Sequence, residues 1–140
     1  MVILNATDVR KNWSITLDSV VRERPAYIKR TRDNIAMIDV ATLLNALAGY
    51  KFEADVYTED DGSVTLSTRV LDLVVNETDK KAAKKALARE IREYAEDYYE
   101  RFQLWSASPN RKGHIPYVLK ALSLDAEQIE EELICLSGGN

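Results

Sequence analysis

The stretch PAYIKRTRDNIAMIDVATLLNAL, Pro25 to Leu47, decides how the first third of this chain folds. Ala26 to Arg30 and Ile35 to Asp39 each have the length and apolar content of a short strand. Between them Thr31-Arg32-Asp33-Asn34 is polar and contains an Asp-Asn pair, which is turn chemistry, so the spacing predicts a β-hairpin with Arg30 and Arg32 at its tip. Asp39 then caps a helix over Val40 to Ala48 that gathers Leu43, Leu44 and Leu47 on one side, with Gly49 as its stop.

Toward the N-terminus, Val2-Ile3-Leu4 is a short apolar run that forms either a first strand or an arm. Asn5 or Thr7 can accept from the free amides of a helix start, and Asp8 in the first turn suits the helix dipole. Val9, Trp13, Leu17, Val20 and Val21 recur at helical spacing, which predicts one helix from Thr7 to Arg24 with a single buried stripe, ending before Pro25. Arg10 and Lys11 fall off that stripe near the N-terminal end, where the dipole disfavours cations by a few tenths of a kcal/mol, as though they faced something anionic. The order is strand, helix, strand, strand, helix. A unit below roughly 40 to 60 residues buries little apolar surface, and dimerisation through it is the expected remedy.

Beyond Tyr50 the period changes. Phe52, Ala54 and Val56 alternate with polar neighbours, as do Val64 and Leu66, across the turn Glu59-Asp60-Asp61-Gly62, which predicts a second hairpin. Val70 to Val75 reads as a third strand. Thr78 or Asp79 caps a long helix whose stripe is Ala83, Leu87, Ile91, Tyr94, Tyr98, Phe102 and Trp105. After the breakers of Ser106 to Gly113 come two short helices, Ile115 to Leu122 and a second from Asp125 through Leu136, with a frayed Ser-Gly-Gly-Asn at the end. The fold class is therefore α+β: residues 1–49 as a small dimerising domain, and residues 50–140 as a three-stranded antiparallel sheet with a long helix and short C-terminal helices.

Charge and composition narrow the function. The net charge is −4, distributed as +2 over residues 1–50 and −6 over residues 51–140, a basic first part and an acidic second. No apolar run is long enough to span a bilayer and the N-terminus turns polar after four residues, so a cytoplasmic protein without a membrane segment is expected. Cys135 is the only cysteine and reads as an apolar filler near a helix end, which leaves no disulfide and no metal ligand set. His114, the only histidine, reads as a surface residue of a Gly-flanked loop. With no nucleophile, metal or phosphate-loop pattern, the chain is not expected to be an enzyme or to need a cofactor.

Thr7-Asp8-Val9-Arg10, Pro25-Ala26-Tyr27-Ile28 and Ile35-Ala36-Met37-Ile38 together resemble the N-terminal domain of the Phd/YefM antitoxins of type II toxin–antitoxin systems. Lys29-Arg30-Thr31 and Asp33-Asn34 depart from the family's usual hairpin residues but keep the tip positive. The opening FEADVYTEDDGSVTLS is similar, more distantly, to the half-domain of HicB-like antitoxins. These resemblances imply a homodimer, or a higher even oligomer, that binds operator DNA through Arg10, Lys11, Arg30 and Arg32, represses its own operon and neutralises a toxin. Alternative readings are a dimer that serves structure or interaction without touching DNA, and a solitary regulator with no toxin. The four cations then simply solvate a surface.

Overall fold

The computed structural model describes residues 1–137 and divides into two compact units, Met1–Ala46 and Leu47–Asn140. The first contains β1 (Ile3–Asn5), α1 (Ala6–Lys11), α2 (Trp13–Arg22), β2 (Ala26–Arg30), β3 (Asp33–Met37) and α3 (Val40–Ala46). Its sheet has the order β1-β2-β3, with β1 parallel to β2 and β3 antiparallel to it. Leu4, Ile28 and Ile35 lie in register across the three strands, and α1 and α2 pack on this sheet.

The helix expected to run unbroken from Thr7 to Arg24 is two helices. Asn12 (φ −116°, ψ 39°) leaves the helical region between them, and its side chain donates to the Asp8 carbonyl at 3.0 Å. The break resets the helical phase, so the buried residues are Val9, Thr16 and Val20, while Trp13, Leu17 and Val21 of the expected stripe stay exposed. Asn5 caps α1 by accepting from the Thr7 N–H at 2.7 Å. The hairpin is also tighter than the sequence predicts. Arg30 pairs directly with Asp33 in the ladder, so the turn is only Thr31-Arg32, with Thr31 at φ 55° as two-residue hairpin turns require. Asp33 and Asn34, expected in the turn, open β3 instead, because Asp33 is held across the ladder by an ion pair to Arg30.

The second unit contains β4 (Glu53–Thr58), β5 (Val64–Thr68), β6 (Val74–Glu77), α4 (Lys80–Glu100), α5 (Phe102–Ser106), α6 (Ile115–Leu122), α7 (Ala126–Glu132) and β7 (Ile134–Ser137). A single 3-10 turn, Lys112–His114, precedes α6. Asp79 caps α4 by accepting from the Ala82 N–H at 2.8 Å, and Asp125 forms a reciprocal capping box with Gln128. Helix α4 packs on β5, β6, α6 and α7, and buries Ala83, Leu87, Ile91 and Tyr98 with Phe52, Leu66, Val118 and Ile129. Tyr98 and Leu66 are fully enclosed, as burial of the α4 stripe against a sheet face requires.

The helix predicted through Leu136 ends at Glu132, and Ile134–Ser137 form β7, which lies parallel to β4 with Ala54 opposite Cys135. The sheet therefore has four strands, β6-β5-β4-β7, and Cys135 is a half-buried strand residue rather than a helix filler. Of the tail expected to fray, Ser137 pairs with Val56, and residues 138–140 lie outside the described residues. The third strand starts at Val74, because Val70 to Leu73 form a tight connection in which the Thr68 hydroxyl accepts from the Leu73 N–H at 2.8 Å and Asp72 takes φ 57°. The long helix stops at Glu100, where Arg101 leaves helical geometry, so Phe102 and Trp105 belong to the separate α5.

Candidate nucleic-acid interface

The parallel register of β1 and β2 sets Asn5 opposite Lys29, one residue before the end of β2. Asn5 also caps α1, so α1 begins at the same end of the sheet as the hairpin tip. Arg10 and Lys11 occupy the last turn of α1. The sequence places them where the dipole opposes a cation; the break at Asn12 puts them instead at a C-terminal end, where a positive charge is favoured. Their charge is accounted for by their own helix.

All four predicted cations are exposed, and they are not equivalent. Arg30 reaches Asp33 at 2.7 Å, which cancels its charge locally, whereas Arg10, Lys11 and Arg32 make no ion pair among the described residues. The hairpin pairs bring Arg30 and Arg32 together at one tip, with Lys29 exposed beside them and in register with Asn5 and Asn34. The partnering of Arg30 was hidden in the sequence because Asp33 reads as turn chemistry. Only the two-residue turn places it opposite Arg30.

The same unit leaves large apolar side chains in solvent. Ten of the seventeen exposed large hydrophobic residues among the described residues lie in the first 46 positions, including Trp13 at 50%, Ile15 at 69% and Val21 at 62% exposure. These residues are spread over β1, α2, β2, β3 and α3.

In the second unit, His114 is buried at 6% exposure rather than on the surface. Its Nδ1 lies 2.6 Å from the Tyr94 hydroxyl, and Arg111 Nη1 donates to that hydroxyl at 3.2 Å. Burial, reinforced by the Arg111 charge, lowers the His114 pKa, against the opposing pull of Asp72 and the Val70 carbonyl. Burial likewise raises the Tyr94 pKa, so both groups are neutral near pH 7. The signal available in the sequence was the i, i+4 pair Tyr94 and Tyr98 on α4, whose hydroxyls need buried partners. Among the described residues no cluster of three or more His, Cys, Asp or Glu side chains is placed to hold a metal, and no helix is long and apolar enough to cross a membrane.

Comparison with known proteins gives two matches. The family model PHD_like, described as the antitoxin of toxin–antitoxin, RelE / RelB, TA system, matches residues 1–135. A crystal structure of the antitoxin part of a candidate toxin/antitoxin system from Syntrophomonas wolfei subsp. wolfei superposes with a TM-score of 0.91 and is 33% identical, covering 98% of this chain and 99% of that one. No curated protein matches the chain.

Proposed function

The chain belongs to the PHD_like antitoxins of toxin–antitoxin systems, and on that premise we propose that it is a homodimeric DNA-binding autorepressor that also neutralises a partner toxin. The supporting observation is that the first unit exposes both cations, on α1 and the hairpin tip, and large apolar residues, of which Trp13, Ile15, Leu17 and Val21 lie on α2. Residues 1–49 carry DNA binding and dimerisation in a Phd/YefM-like arrangement, and residues 50–140 carry toxin recognition. Arg32 and Arg10 offer guanidinium forks that pair with phosphate or guanine edges, Lys11 adds a point charge, and Arg30 joins them once Asp33 is displaced. Pairing two copies through α2 doubles the cationic end, which a single unit of this size lacks the charge to use alone. A HicB-like reading of the second unit draws no support from its four-stranded sheet, in which β7 is an added parallel strand.

The experiment is electrophoretic mobility of the gene's own upstream DNA across a salt series. A shift at low salt that weakens with salt, and is lost in Arg10→Ala plus Arg32→Ala, is the expected result. A wild-type protein that shifts no upstream fragment at low salt sinks the repressor reading. Co-purification with the product of the neighbouring reading frame tests the toxin role separately.

A further inference from the structure

We infer that a cleft in the second unit, bounded by α4, α5 and the connection between β5 and β6, binds a carboxylate. The cleft encloses about 430 Å³ and is lined by Asp72, Tyr94, Trp105, Arg111 and His114. That volume lies in the range of small-ligand sites. None of these residues is used by the DNA-binding or dimerising surfaces of the first unit, so the inference stands whether or not that reading holds.

Arg111 is the centre of the site. Its guanidinium carbon lies 4.3 Å from the centroid of the Trp105 ring, and Trp105 in turn stacks on Tyr94 at 6.0 Å with a 27° tilt. The backbone beneath is fixed from two sides: the Arg111 carbonyl accepts from the Tyr98 hydroxyl at 2.8 Å, and from the His114 N–H at 3.0 Å. The side chain spends one donor on Tyr94 and makes no ion pair among the described residues. A half-buried guanidinium held over an indole, with donors left beyond the one spent on Tyr94, is pre-organised for the two oxygens of a carboxylate. The Tyr94 hydroxyl accepts from Arg111 at 3.2 Å and lies within hydrogen-bond distance, 2.6 Å, of Nδ1 of His114, which ties the three side chains together.

Asp72 sets the charge of the ligand. It stands in the cleft on a backbone with φ 57°, a conformation that few residues other than Gly, Asn and Asp adopt readily. Its carboxylate makes no ion pair among the described residues, and it acts electrostatically on both Tyr94 and His114. A singly charged planar anion against Arg111 tolerates that neighbour; doubly charged phosphate is repelled more strongly. The carboxylate comes either from a small free acid or from a polypeptide that presents a C-terminus.

The full chain carrying Trp13→Phe leaves Trp105 as its sole tryptophan, and the emission of Trp105 reports on the guanidinium stacked over it. The probes are acetate, a free-terminus tripeptide, the same tripeptide amidated, and inorganic phosphate, all at matched ionic strength. Saturable change is expected with acetate or the free-terminus tripeptide in a roughly millimolar range, and none with the amide. Acetate equal to the tripeptide assigns the source to a small acid, and a tripeptide bound about tenfold tighter assigns it to a polypeptide. Arg111→Lys, which keeps charge and loses the fork, is expected to weaken binding about tenfold. Asp72→Asn, which keeps the backbone tolerance, is expected to raise phosphate affinity several-fold without disturbing Arg111. No saturable response to either acid, undiminished binding in Arg111→Lys, or unchanged phosphate binding in Asp72→Asn overturns the inference.

Discussion

The Tyr94 hydroxyl and His114 Nδ1, brought to 2.6 Å by α4 and the turn before α6, make the stability of the second unit depend on pH in one direction. Burial first, then the Arg111 charge, places the His114 pKa below its ordinary 6.5. The unfolded chain therefore takes up the proton before the folded one does. The contribution is complete above 6.5 and is lost as pH falls through the lower folded value. Urea midpoints of the wild type are expected to drop from pH 7 to about 5, before most carboxylates titrate. His114→Gln, which removes the only histidine, is expected to flatten that interval. Equal pH slopes in the two proteins would show that the imidazole contributes nothing.

Lys120 is 3% exposed, with its ammonium 2.9 Å from the Tyr50 carbonyl and 2.9 Å from Glu132, above the Phe52 ring. Lys120→Ala removes the donor from a part-buried carbonyl and opens a cavity, with an expected cost of about 2–4 kcal/mol. Glu132 is 42% exposed, so its carboxylate recovers water when unpaired, and Glu132→Gln is expected to cost under about 1 kcal/mol. Denaturant unfolding at neutral pH measures both, and a Glu132 variant as damaged as the Lys120 variant contradicts this ordering.

At the hairpin tip Asp33 holds Arg30 in an ion pair, and in the proposed operator complex it would compete with DNA for that guanidinium. Asp33→Ala is expected to tighten operator binding about threefold or more at low salt, and Arg32→Ala to weaken it. Each phosphate contact removed lowers the slope of log affinity against log salt by about one, so a dimer of Arg32→Ala is expected to lose about two. Unchanged slopes across both variants would place the DNA elsewhere.

Trp13 is half exposed and does not support the core of its own unit. Trp13→Glu is expected to leave the helix signal in circular dichroism intact while converting a sedimenting dimer to monomer, since a charge in an apolar interface goes unpaired. A variant that still sediments as a dimer moves the interface away from α2.

The two units differ in how much of them was legible. Strand β2 and helix α6 match their predicted limits because local chemistry bounds them: Pro25 ends the preceding helix, and Pro116 sits in the first turn of α6. The caps Asp79 and Asp125 were equally local. Strand β7 was misread because Ile129, Leu133 and Leu136 sit at helical spacing, while its true partner β4 lies far away in sequence. The split at Asn12 was invisible to periodicity, since Val9, Trp13 and Leu17 continue a helical stripe straight through it. At the site, the four cations are as exposed as their polarity predicts, but the Arg30–Asp33 pairing follows from a turn length that the residues leave open.

The parallel joining of β7 to β4 has a consequence for synthesis. Ala54 waits for Cys135, 81 residues later, before its strand has a neighbour on that side. At about 5–20 residues per second, that interval is about 4–16 s. The first unit, whose strands all lie within the first 37 residues, can fold during that time. The two halves of this antitoxin thus mature on separate clocks, the first sheet complete while the second still waits for its last strand.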